Sequence, residues 1–95
     1  MAVDATLRLE TLRRGIQQVQ ADLASGATTL AAVFARDDDA ARFVYVVKAL
    51  ESVPGIGKVA ARGHLAHLGV SEHAQCGDLD DDVRRQLVAI SEERA

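Results

Sequence analysis

The sequence predicts an all-α fold of about five helices, led by a long N-terminal helix. Three observations point there. Aromatic side chains are nearly absent, with only Phe34, Phe43 and Tyr45, so the core must be built from Leu, Val, Ile and Ala. Alanines are many and β-branched runs few, which favours helix over strand. Apolar residues recur at spacings of three and four through most of the chain. At 95 residues the length suits a single domain with a modest core. The expected organisation is an N-terminal helix within 1–25 followed by a helical core over 28–93.

The first helix is expected from about residue 4 to 24. Leu9, Leu12, Ile16, Val19 and Leu23 form one apolar stripe along it. Asp4 is the expected N-cap and Gly26 the expected residue just past its C-terminus. The plain reading packs the stripe on the chain's own core. A second reading pairs it weakly with the same helix of another copy, since the spacing resembles a short heptad seam.

Thr28 and Thr29 can cap a short second helix carrying Leu30, Val33 and Phe34. Asp37-Asp38-Asp39 then breaks the chain and opens the next helix, where acids complement the helix dipole. The run reads as a solvated cap, because it lacks the spaced oxygen ligands and glycine of a calcium loop. The third helix is expected over about 40–52, burying Phe43, Val46, Val47, Leu50 and Val53. Pro54 ends it, since the residue before a proline is pushed away from helical dihedrals.

A fourth helix is expected from Lys58 to Leu68, burying Val59, Ala61, and Leu65 or Leu68. Gly63 weakens it by roughly 1 kcal/mol relative to alanine, and Gly69 suits its C-terminus. Ser71-Glu72 reads as a turn or half-helix, and Gly77-Asp78 as a bend. Asp80 can cap a last helix to about Glu93, with Val83, Leu87 and Ile90 on one face.

The segment Val53-Pro54-Gly55-Ile56-Gly57-Lys58 is the most informative in the chain. Gly55 and Gly57 allow positive φ and close approach of another backbone. Ile56 can tuck inward and pin the turn. Ala61 lets the flanking helices cross closely. The turn then presents backbone N–H groups and a helix N-terminus to an anion, with Lys58 and Arg62 one helical turn apart beside it. This is chemistry for gripping a nucleic-acid phosphate, and it carries no base readout. A tight interhelical turn without a ligand is the plainer alternative. A nucleotide-binding P-loop does not fit: that motif has four residues between its glycines, follows a strand, and places Ser or Thr after the lysine. Here one residue separates the glycines, the preceding segment is helical, and Val59 follows Lys58.

The stretch from Val47 through Pro54-Gly55-Ile56-Gly57-Lys58 to Val59, continued by Leu68-Gly69-Val70-Ser71-Glu72, resembles the integration host factor of actinobacteria. The likeness runs over roughly residues 20 to 92. It implies an all-helical, nucleoid-associated protein of the cytoplasm that contacts duplex DNA backbone through a helix–two-turns–helix module. By that resemblance Gly55, Ile56, Gly57 and Lys58 match the phosphate-facing turn, and Arg62 sits at a commonly basic position. Two departures stand out. Ala60 occupies a position that is usually basic, and a cluster of arginines after Ser71-Glu72 is replaced by His73-Ala74-Gln75-Cys76-Gly77. Arg84 and Arg85 are the candidates to compensate, or else are solvated residues on the last helix.

Charge bears on the same question. The formal net charge is −3. Residues 54–70 hold Lys58 and Arg62 and no acid, whereas 71–95 are rich in Asp and Glu. Binding to DNA should accordingly be local and salt-sensitive. The acidic tail equally favours an alternative, a family member that serves as a protein–protein module.

His64, His67, His73 and Cys76 pair nitrogen and thiolate ligands in a spacing that zinc can use, but the link between the pairs is short, and no metal is assigned. No cofactor motif is present, and no serine or cysteine has the partners of a catalytic nucleophile. No apolar run approaches the roughly 20 residues of a membrane span, and the first residues lack the character of a secretory signal. A single cysteine fits a reducing compartment.

Overall fold

The computed structural model describes residues 2–94, and side chains over 7–93. Among the described residues six α-helices follow one another: α1 (Ala2–Ser25), α2 (Leu30–Ala35), α3 (Asp39–Phe43), α4 (Val46–Ser52), α5 (Gly57–Leu68) and α6 (Asp81–Arg94). A single 3₁₀ turn, Cys76–Asp78, precedes α6. No strand occurs among the described residues, and the one β-bridge joins Tyr45 to Gln75. The all-α expectation is met.

Local signals explain most boundaries. Thr29 caps α2 by accepting from the Ala32 N–H at 3.1 Å. Asp38 caps α3 through the Ala41 N–H at 3.3 Å while both its oxygens take a forked pair from Arg36, at 2.7 and 2.8 Å. Those hydrogen bonds from Arg36 hold the Asp38 carboxyl below its ordinary range. Asp80 caps α6 through the Val83 N–H at 2.8 Å. Gly69, at φ +71°, closes α5: its own N–H reaches the Ala66 carbonyl and that of Val70 the Leu65 carbonyl, a Schellman stop. Asp4 lies within α1 rather than ahead of it, and its side chain is outside those described.

The expected helix over 40–52 is two helices. Between α3 and α4, Val44 and Tyr45 are extended, at ψ 135° and 136°. The segment 74–76 pairs with this break: the Val46 N–H donates to the Ala74 carbonyl at 2.8 Å, and the Cys76 N–H to the Val44 carbonyl at 2.9 Å. Tertiary hydrogen bonds and a β-branched run override the helical spacing here. The break re-aims the side chains, so Val44 is buried and Phe43 faces solvent.

Leu23, Leu30, Leu50, Leu65 and Leu87 come from five different helices and meet in an aliphatic core. Each such leucine contributes on the order of 2 kcal/mol by leaving water. The N-terminal stripe enters this core only over its second half: Val19 and Leu23 are buried, Ile16 packs against the core, and Leu9 is exposed.

Candidate nucleic-acid interface

Two successive turns link α4 to α5, and Val53 belongs to both. The Val53 N–H donates to the Leu50 carbonyl, and the Ile56 N–H donates to the Val53 carbonyl, each at 3.2 Å. Val53 is extended, as a residue before proline should be. The second turn has Pro54 at its first corner and Gly55, at φ +91°, at its second, the pattern of a type II turn. Gly57 follows at φ +75°, so the chain is left-handed on both sides of Ile56. Ile56 is 7% exposed and anchors the corner in the core. Ala61, fully buried one turn into α5, lets α5 lie close to the core. The expected positive φ at Gly55 and Gly57 and the inward placement of Ile56 and Ala61 are found; Val59, expected inside, is instead 88% exposed.

This geometry leaves the start of α5 open. Ile56 stands at the N-cap position with no side-chain cap, and the first turn of α5 carries no acid. With Ile56 at the N-cap, the N–H groups of Gly57, Lys58 and Val59 have no acceptor within the helix. Among the described hydrogen bonds none of them reaches back to the preceding turn. They point outward together with the positive end of the helix dipole. Lys58 is exposed and makes no ion pair among the described residues.

The other expected site residues sit in different circumstances. Arg62 is exposed one turn along α5, but its Nε lies 3.0 Å from a carboxylate oxygen of Glu72. Arg84 is half-buried and serves the fold. Its Nη2 donates to the Cys76 carbonyl at 3.2 Å, and its Nε is buried without a partner. Arg85 is exposed on α6 and shares its charge with Asp82 at 3.4 Å. Glu92, from the last turn of α6, lines a groove with Leu23, Thr28, Pro54, Gly55 and Ser91, so an acid shares a groove with the corner. The roles of Glu72 and Arg84 were missed by sequence reasoning, because both contacts join elements brought together only by the fold.

Zinc finds no support in the arrangement. Among the described residues no three His, Cys, Asp or Glu side chains gather as a metal would require. His67 and His73 are exposed, and the His73 ring stands edge-on to Tyr45 at 6.4 Å. Cys76 is buried, and that burial pushes its thiol up to about 12, with Arg84 opposing. No described helix is long and apolar enough to cross a membrane.

No family model and no curated protein matches the chain. A solved structure does: sIHF, an actinobacterial-type integration host factor, bound to an 8-bp palindromic DNA. The two folds agree with a TM-score of 0.77 at 27% sequence identity, over 93% of this chain and 98% of that one. The likeness read from residues 47–72 therefore extends to nearly the whole three-dimensional fold.

Proposed function

We propose that this chain is a DNA-binding, nucleoid-associated protein of the actinobacterial integration host factor type, and that it holds duplex DNA by its backbone, largely without regard to sequence. The observation that carries the reading is the fold shared with sIHF, whose structure was solved on DNA. The open N-terminus of α5 supports it independently.

In this reading Gly55 and Gly57 shape the corner and Ile56 fixes it to the core. The N–H groups at the start of α5 donate to a phosphate oxygen, and Lys58 adds a mobile point charge. Arg62 supplies a second charge about 6 Å along the same helix face. Arg84 and Arg85 enter only as secondary charges of α6, since one is bonded within the fold and the other faces Asp82. No base edge is reached by an N–H corner of this kind, so the contact positions the duplex without selecting a sequence. The chemistry is binding, with no bond made or broken.

The decisive experiment is an anisotropy titration of a random-sequence duplex across a salt series. Each phosphate neutralised adds about −0.9 to the slope of log K against log salt. A few contacts should give measurable binding at about 50 mM salt and a slope between about −1 and −3. Absence of binding at that salt defeats the reading.

A further inference from the structure

We infer that Glu72 acts as an internal stand-in for phosphate, occupying Arg62 in the free protein and tuning how strongly the corner holds DNA. The inference rests on the DNA-binding reading and adds a regulatory contact to it.

Three observations carry it. The first is the ion pair itself, Arg62 Nε to Glu72 Oε1 at 3.0 Å, one helical turn from Lys58 on the helix that bears the open corner. The second is how Glu72 gets there. It lies ten residues beyond Arg62 in the chain. The left-handed Gly69 reverses the backbone at the end of α5. Ser71 then fixes the turn: its Oγ accepts from the His73 N–H and its carbonyl from the Ala74 N–H, both at 3.1 Å. The Ala74 carbonyl ties that turn to the start of α4 through the Val46 N–H at 2.8 Å. Glu72 is thus presented to Arg62 by a backbone anchored on both sides. The third is the contrast within the site: Lys58 has no such carboxylate, although it lies on the same helix.

Both members of the pair are well exposed, at 64% and 50%. A pair of that kind is weak and exchanges readily, so it tunes binding and does not lock the site. When a phosphate replaces Glu72, Arg62 trades one anion for another. The DNA still releases a condensed cation at that phosphate, but the ion pair is lost and the displaced carboxylate is left near the phosphates, both costs being largest at low salt. Glu72 therefore lowers affinity and also flattens its salt dependence.

The test compares wild type, Glu72→Gln, Arg62→Gln and the double variant, with Lys58→Ala as a control for the site. Each is titrated with the same random duplex from about 50 to 200 mM salt, after circular dichroism has confirmed helical content. Because the Arg62–Glu72 pair and the carboxylate–phosphate repulsion are both screened by salt, Glu72→Gln should bind about 1.5- to 5-fold tighter near 50 mM salt, an advantage that shrinks toward 200 mM and so steepens the slope. Arg62→Gln should reduce the gain to its repulsive part. A Glu72→Gln variant that matches wild type in affinity and slope overturns the inference while leaving DNA binding intact. So does a gain that survives undiminished in the double variant, since it would reflect simple repulsion. Wild type and Glu72→Gln both failing to bind, or binding that ignores Lys58→Ala, defeats the DNA-binding site itself and the inference with it.

Discussion

A Cβ added to Gly15 would lie 2.8 Å from the Cβ of Ala40, so α1 and α3 touch with no room for a methyl group. Gly63, inside α5, meets nothing within 4 Å. Both are helical glycines, and Gly→Ala should gain about 1 kcal/mol of helix propensity at either. At Gly15 the gain is outweighed, because a small side chain on a packed helix cannot swing away and overpacking costs about 1–3 kcal/mol. Gly15→Ala is expected to destabilise by about 1 kcal/mol and Gly63→Ala to stabilise by about 0.5–1 kcal/mol. Urea denaturation of the two variants should give midpoint shifts of opposite sign. Shifts in the same direction would refute the close approach of α1 and α3.

Lys58 places a cation in the first turn of α5, where the helix dipole disfavours one. Function and stability are therefore set against each other at this residue. Lys58→Glu should bring a favourable charge to the helix start and raise stability by about 0.3–1 kcal/mol. The same change puts a carboxylate where phosphate is proposed to sit, and DNA binding at low salt should disappear. Retained affinity in a well-folded Lys58→Glu protein contradicts the site.

Gly57 tests the backbone part of the corner. Its φ of +75° is one that other L residues adopt with difficulty, and nothing lies within 4 Å to clash with a new side chain. Gly57→Ala should thus act through backbone strain of about 1–2 kcal/mol, tilting the N–H groups at the start of α5. Amide contacts release no counterions, so affinity should fall at every salt concentration with the slope unchanged. Lys58→Gln should instead make the slope shallower by about 0.9. Identical salt behaviour in the two variants would argue against amide donors.

What the sequence made legible, and what it hid, divides along physical lines. Caps and glycine stops are local chemistry, and Thr29, Asp38, Asp80 and Gly69 stand where their side chains or dihedrals predict. The corner from Val53 to Gly57 is equally local, because Pro54 and two positive-φ glycines specify it almost alone. The break at Val44-Tyr45 was hidden, since its hydrogen bonds come from residues 74–76 and its apolar spacing also fits one continuous helix. Val59 was assigned to the core by apolarity, but it lies beside Lys58 on the open face of α5. Arg62 and Arg84 show the same limit for charge. Arginine in the sequence reads as a free cation, and only the fold reveals that Glu72 holds one and the Cys76 carbonyl the other.

Cys76 offers a test of the packing between the α3–α4 break and α6. Its thiol is buried beneath Arg84 and raised from 9.0 to about 12. At pH 8 the folded protein should hold almost no thiolate, which is the species that reacts with alkylating and disulfide reagents. Labelling should therefore be very slow in native buffer and rapid in denaturant. The raised pKa also links to stability. The unfolded chain loses this proton near its ordinary pKa while the folded one keeps it, so the unfolded state binds fewer protons in that interval. Stability from the neutral thiol is complete below about pH 9 and is lost as pH climbs toward about 12. Cys76→Ala removes the thiol and should show less alkaline destabilisation over that window, at the cost of a small cavity. Fast labelling of native protein at pH 8, or identical alkaline profiles for the two proteins, would show that the thiol is not sealed as the structure places it.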